Sequence, residues 1–224
     1  MLNDKRIKIV IGHYGSGKTE FAVNYAVKLA EMGKKVALAD LDIVNPYFRS
    51  REKEEMLKNL GVTVIGSHIE KSLGSDLPAV ASSVLMPLQD ESYEVILDVG
   101  GDAIGARVLG RYHTYLKDGQ YDMFAVINAN RPQTADVEGV IHHIKTIEAV
   151  ARGRVTGLVN NTHLLRETTV EDVVRGQTLV KQVSDRLNIP IKYISTLEEV
   201  AKILPENMEG EVFSINMYMR EKWM

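Results

Sequence analysis

Residues 12–19 read Gly12-His13-Tyr14-Gly15-Ser16-Gly17-Lys18-Thr19, and this stretch decides the fold. It matches G-x-x-x-x-G-K-[ST], the pattern of a loop that wraps a phosphate chain. The residue types follow from that task. Glycines let backbone N–H groups turn inward around an anion. The helix that follows directs its positive end at the same anion. Lys18 is placed to neutralise the β- and γ-phosphates, and the Thr19 hydroxyl to ligate Mg²⁺. The pattern carries weight only between a strand and a helix, and the flanks supply both. Ile7–Ile11 reads as a strand, and Phe21, Tyr25 and Leu29 recur at i, i+4, i+8 until Gly33 ends the helix.

Moving outward, further short apolar runs stand at 36–39, 62–65, 93–97, 123–127, 155–159 and 191–194. Continuous runs of this length read as strands buried on both faces. Amphipathic stretches separate them. Val137, Val140, Ile141 and Ile144 mark one apolar stripe; Val170, Val173, Val180 and Leu187 mark another, preceded by a capping box of Thr168 and Glu171. Strands alternating with helices predict an α/β, doubly wound, mostly parallel sheet of about seven strands. We expect a single domain over residues 1–224, with 205–224 as a candidate C-terminal appendage. Residues 71–92 are the least regular: Gly74 and Pro78 precede a helix expected to break near Pro87.

A phosphate loop hydrolyses nothing without carboxylates to hold the metal and orient water. Two groups lie where strands end, which is where doubly wound sheets bind ligands. The run at 36–39 leads into Asp40-Leu41-Asp42, and the run at 93–97 into Asp98-Val99-Gly100-Gly101. Asp98 reads as the carboxylate acting on Mg²⁺. Asp-x-x-Gly here suits a switch that senses the γ-phosphate through the Gly101 N–H. Asp40 and Asp42, one residue apart, share a side if extended, so both would border the metal and the attacking water. We therefore expect Lys18, Asp40 and Asp42 to be catalytic, and Thr19, Asp40 and Asp98 to hold the metal. Gly12, Gly15, Ser16, Gly17, Lys18, Thr19, Glu20 and Gly101 would surround the nucleotide.

Together these motifs resemble the SIMIBI class of P-loop NTPases, and within it the MinD/ParA-like ATPases of the CobQ/CobB/MinD/ParA superfamily, over roughly residues 5–203. The family's motifs correspond to Gly12–Thr19 here, to Asp40-Leu41-Asp42-Ile43 as switch I, to Asp98-Val99-Gly100-Gly101 as switch II, and to Leu158-Val159-Asn160-Asn161. The resemblance implies that Asp40 and Asp42 take the metal-side and water-orienting roles, that Asn160 bonds the adenine, and that the protein forms a homodimer. One departure stands out. MinD/ParA proteins carry a lysine directly after the first glycine of the loop, and here that position is His13, which does not simply replace a lysine's permanent charge. The loop is in this respect similar to CobB/MobB and dethiobiotin synthetase relatives. Arg49, Arg51 and Arg131 are candidates for the missing positive charge.

No Asn-Lys-x-Asp tetrad for guanine is present. The corresponding segment is Asn160-Asn161-Thr162-His163, and an amide pairs with the N6/N7 edge of adenine. The expected cofactors are ATP and Mg²⁺. Composition removes other classes. With 224 residues, net charge −3 and no cysteine, the chain offers no basic field for nucleic acid and no thiolate cluster or zinc site. No run of about 18 apolar residues spans a membrane, and no leader is evident, so a cytoplasmic location is expected. His142 and His143 splay about 100° apart on a helix and make a poor chelating pair. The apolar-rich tail at 212–224 carries mixed Glu and Lys charges that argue against membrane contact; packing on its own domain is the expectation. Residues 45–51, with two aromatics and two arginines, suit either a recognition surface or a loop anchored by its rings. Residues 128–134 are a second candidate substrate lining. The expected function is a Mg²⁺-dependent ATPase acting as a nucleotide-state switch for an unknown partner. The alternatives are a small-molecule kinase or ATP-dependent ligase of the same fold, and a nucleotide binder without turnover.

Overall fold

The computed structural model describes residues 1, 3–42, 53–66 and 76–219. The expectations for Ile43, residues 45–51 with Arg49 and Arg51, Gly74, and the last five residues fall outside the described residues. Eight strands form one all-parallel sheet in the order β3-β2-β4-β1-β5-β6-β7-β8. They are β1 (Ile7–Ile11), β2 (Lys35–Asp40), β3 (Val62–Ile65), β4 (Tyr93–Asp98), β5 (Tyr121–Ile127), β6 (Gly157–Asn160), β7 (Ile191–Leu197) and β8 (Glu211–Ile215). Each of the seven predicted runs became a strand. β1 and β5 are buried along their whole length, as central parallel strands must be.

The helices are α1 (Lys18–Glu31), α2 (Glu54–Asn59), α3 (Asp76–Gln89), α4 (Ala103–Ala106), α5 (Val137–Ala151), α6 (Val170–Leu187) and α7 (Glu198–Ala201). They cover both faces of the sheet. On one face α1 seats Phe21, Tyr25 and Leu29 against Val10, Leu38 and Ile96. Phe21, Tyr25, Phe124, Tyr193 and Phe213 form a ring cluster there, from 5.0 Å between Phe21 and Phe213 to 6.4 Å between Phe21 and Phe124. On the other face α3, α5 and α6 bring Val84, Ile144 and Val180 onto Ile9, Leu97 and Ala125.

Three local expectations needed correction. The eighth strand, β8, lies inside the region read as an appendage. It is an edge strand and buries only Phe213, so it shows no continuous apolar run. The cap of α6 is Thr169 with Asp172, one residue later than Thr168 and Glu171. The Thr168 hydroxyl is committed to the preceding turn, donating to Leu165 O at 2.6 Å and accepting from Leu164 N at 2.9 Å. Pro87 does not break α3, which runs on to Gln89. It sits in the last turn, where the Arg6 guanidinium donates to the carbonyls of Pro87 at 3.1 Å and Leu88 at 2.9 Å.

Candidate functional site

β1 ends at the centre of the sheet between β4 and β5, and the phosphate loop begins there. Gly15 and Gly17 adopt φ of 77° and 82°, a left-handed conformation that glycine takes without strain. Gly17 is the N-cap of α1 and offers no side chain to the helix end, so the first-turn N–H groups remain for an anion. Gly12 has no room for a side chain: a Cβ would stand 2.5 Å from Val126 O and 2.6 Å from Ser16 Oγ. Gly101, on the loop after β4, presses on the phosphate loop itself, with Gly12 O 2.8 Å and Tyr14 N 3.0 Å from where its Cβ would be.

The parallel register sets Asp40 and Asp98 directly opposite one another at the ends of β2 and β4. Both are buried, as is Asp42. Lys18 Nζ donates to Asp42 Oδ2 at 3.1 Å, and the Thr19 hydroxyl donates to Asp98 Oδ2 at 2.7 Å. The Asp40 carboxylate accepts the Asp42 N–H at 3.1 Å. Asp40 and Asp42 thus sit side by side with different partners. Burial works against the charge on Lys18, but Asp98, Asp42 and Asp40 more than offset it and hold the ammonium above the ordinary lysine value. Burial lifts the Asp98 carboxyl above the usual carboxylate range, with Asp42 adding to the rise against Lys18 and Thr19.

Among the described residues no group of three or more His, Asp or Glu forms a metal cage. A hard cation that keeps waters and takes phosphate oxygens needs only one or two carboxylates. Asp98 supplies one: its Oδ1 is buried without a hydrogen-bond partner among the described residues, next to the Thr19 hydroxyl. These residues fit Mg²⁺.

A cavity of about 340 Å³ runs from Lys18 and Thr19 along Arg131 and Asn161 to Leu165, Thr196 and Met219. The structure places three of the expected residues as follows. Asn160 does not line the cavity. Its amide donates to Val173 O at 2.9 Å and Gln177 Oε1 at 3.0 Å, and its oxygen accepts from Thr162 N. The neighbouring Asn161 lines the cavity instead; its Nδ2 donates to Ser16 O at 2.7 Å, leaving Oδ1 buried without a hydrogen-bond partner. The Asn-Asn doublet held that signal, but alternation along a strand does not say which member faces a ligand. Second, Glu20 also lines the cavity, yet its carboxylate accepts the N–H of Tyr218 at 2.6 Å and of Met219 at 3.1 Å. Third, Arg131 approaches the loop: Nε donates to Gly15 O at 2.9 Å. His13 faces away from the cavity wall toward α5, edge-on to His143 with ring centroids 5.5 Å apart. His142 is exposed, whereas His143 is half-buried, and that burial, with His13 and His142 beside it, pushes its pKa down to about 4.

The CobQ/CobB/MinD/ParA nucleotide binding domain model matches residues 7–208. No curated protein gives a significant sequence match. Among solved structures, cell division protein FtsY from Thermotoga maritima is similar at 25% identity and TM-score 0.58, covering 86% of this chain and 62% of its own. Signal recognition particle receptor FtsY from Elizabethkingia anophelis, in complex with GDP, is similar at 21% identity and TM-score 0.54, covering 84% and 56%. Chloroplast FtsY from Physcomitrella patens is similar at 18% identity and TM-score 0.58, covering 84% and 57%. The chain therefore spans less than two thirds of the length of these solved proteins.

Proposed function

The chain belongs to the CobQ/CobB/MinD/ParA nucleotide-binding domain family, and from that premise we propose that it is a Mg²⁺-dependent ATPase whose nucleotide state switches its association with a protein client or a second copy of itself. The observation that carries this reading is the convergence of Lys18, Thr19, Asp42 and Asp98 beneath the phosphate loop. Such a set does one kind of chemistry well. Water attacks the γ-phosphorus in line, the bond to the β,γ-bridging oxygen breaks, and ADP and phosphate result. Lys18 neutralises the charge that builds on the phosphates. Its pairing with Asp42 keeps the ammonium charged and aimed until a phosphate competes for it. The released Asp42 carboxylate then accepts a hydrogen bond from the attacking water, with Asp40 beside it. Mg²⁺, when bound by Thr19 and Asp98, supplies further charge neutralisation. Gly101 lies against Gly12 and Tyr14, where its N–H reads the γ-phosphate.

The base preference rests on the cavity wall. Apart from Asp42, committed to Lys18, its only carboxylate among the described residues is Glu20, which holds backbone N–H groups. Guanine favours a carboxylate on its N1–H and N2–H₂ edge; adenine needs an amide. Of the three candidate arginines, Arg131 is the one the described residues bring to the loop, and it supplies positive charge within the chain. One observation favours the metabolic reading over the dimer switch: His13 packs on His143 of its own chain. The reading places the protein in the cytoplasm and gives nucleic acid no part, in keeping with a net charge of −3 that supplies no global basic field.

Calorimetry with Mg²⁺ and ATP, GTP or ADP, followed by light scattering in each nucleotide, tests this. ATP should bind more tightly than GTP, with slow phosphate release and a change of assembly state between ATP and ADP. Flat traces with both triphosphates on folded protein would remove the proposal. Turnover that appears only with an added metabolite would favour the kinase or ligase reading.

A further inference from the structure

Residues 216–219, directly after β8, run along α1 and reach the cavity. Ile215, Met217 and Met219 line the same cavity as Gly17, Lys18 and Thr19, and Met219 is buried. What holds the segment there is the phosphate-loop helix itself. Glu20 accepts the N–H groups of Tyr218 and Met219. Asn24 makes a reciprocal pair with Asn216, donating to its carbonyl at 2.8 Å and accepting its N–H at 2.7 Å. Lys28 donates to Ser214 Oγ at 3.4 Å and stands 5.2 Å over the Phe213 ring. Glu20, Asn24 and Lys28 follow at i, i+4, i+8, so one stripe of α1 carries the whole strap.

The chemistry of the enclosed space is not that of a phosphate site. Leu165 and Leu197 line the same cavity as the methionines, and so do Thr196 and Asn161, whose Oγ1 and Oδ1 are buried without hydrogen-bond partners among the described residues. Apolar walls with one or two unpartnered polar atoms suit a flat heteroaromatic ring, and thioethers pack well on such a ring. Building on the nucleotide-binding reading above, we infer that residues 215–219 form the base-side wall of the site, clamped by Glu20 and Asn24, so that a purine ring rather than the phosphate chain seats the chain's C-terminal strap. Loop and strap then read different halves of one ligand. Asn161 Oδ1 and Thr196 meet the edge of the ring, and Met217 and Met219 its face.

The test separates the halves. Full-length wild type and a Met217→Ser/Met219→Ser variant are titrated with Mg·ATP and with Mg·tripolyphosphate, which lacks a base. The variant should bind ATP about ten-fold more weakly and tripolyphosphate as wild type does. In the wild type, hydrogen exchange at the Tyr218 and Met219 amides should slow with Mg·ATP and not with Mg·tripolyphosphate. That measurement stands even if the variant fails to fold. Equal slowing by both ligands, or no slowing by ATP that binds, overturns the strap assignment and leaves the phosphate site standing. A wild type that binds neither ligand overturns the nucleotide reading and the strap with it.

Discussion

Replacing Gly101 by alanine tests whether switch II leans on the phosphate loop as tightly as the structure shows. The φ of Gly101 lies outside the left-handed region, so an alanine there meets no backbone strain of its own. Its Cβ would stand 2.8 Å from Gly12 O, 3.0 Å from Tyr14 N and 3.2 Å from His13 C. Optimal contacts to carbon are about 3.5–4.0 Å, so the nearest pair is roughly half an ångström or more too close. All three atoms are backbone, and none can swing away as a side-chain tip can. Gly12 cannot retreat, because Val126 O of β5 closes the space on its other side. Overpacking of this kind costs about 1–3 kcal/mol, which for a chain of this size lowers Tm by about 3–10 °C. The displacement falls on the N–H groups that grip the phosphates, so affinity for Mg·ATP should drop by about ten-fold or more. Gly110→Ala is the control: its Cβ meets nothing within 4 Å and its φ is not positive. Thermal melts and calorimetry on both variants give the answer. If Gly101→Ala matches Gly110→Ala in Tm and affinity, the contact between switch and loop is not what the structure implies.

Lys18→Ala should lose hydrolysis and weaken Mg·ATP binding by about 100-fold or more in calorimetry, since it removes the buried ammonium that is to neutralise the phosphates. Asp42→Ala should keep nucleotide affinity near wild type while phosphate release falls about 100-fold, the size of a lost general base; normal turnover would reassign the water to Asp40. Asp98→Asn should raise the Tm of the nucleotide-free protein, because burial already disfavours that charge, while abolishing the Mg²⁺ dependence of ATP binding. His143 has a folded pKa near 4, below the ordinary histidine value. The unfolded chain therefore takes up the proton first as pH falls. Stability is fully present above about pH 6.5 and declines by about 3 kcal/mol towards pH 4. Denaturant melts of His143→Gln at pH 7 and 4.5 should show a shallower decline than wild type, and parallel slopes would contradict the buried imidazole.

Much of the fold was legible because buried parallel strands cannot hide. The runs at 93–97 and 123–127 are apolar on both faces, and a phosphate loop between strand and helix admits one architecture. That Asp40, Asp42 and Asp98 would gather beside the phosphate loop was legible for a related reason, since each stands at or just past the carboxyl end of a strand next to it. What escaped depended on one-residue choices. β8 shows a single inward side chain, Phe213, so its alternation is too short to read. Thr168 and Thr169 are both competent caps, and only the turn that Thr168 closes decides between them. Asn160 and Asn161 are chemically identical, and α6 takes the first through Val173 and Gln177.

Helix α1 shows most sharply why one half of a pattern was readable and the other was not. Phe21, Tyr25 and Leu29 repeat at four residues, and so do Glu20, Asn24 and Lys28, one position earlier. The apolar register can mean only a core face, and it packs as one on β1, β2 and β5. The polar register has the spacing and composition of a solvent face, where Glu and Lys four residues apart usually support a helix modestly. Here it meets chain about 190 residues away, and each member spends its side chain on residues 214–219. Nothing local distinguishes those two uses, because the partner is set by the sheet order that carries β8 to the edge beside β7. The helix end that faces the phosphates is thereby tied, within its first two turns, to the strap of the C-terminal segment. Any displacement of α1 on nucleotide binding must be transmitted to residues 216–219 or must break the Glu20 and Asn24 contacts. Glu20→Gln, which keeps the shape and removes the charge, should loosen the strap and raise amide exchange at Tyr218 and Met219 several-fold, because hydrogen bonds to a charged acceptor are about twice as strong as neutral ones. Exchange at the wild-type rate in that variant would show that the Glu20 charge adds nothing to the strap beyond the Asn24 pair and the packing of Phe213 and Met219.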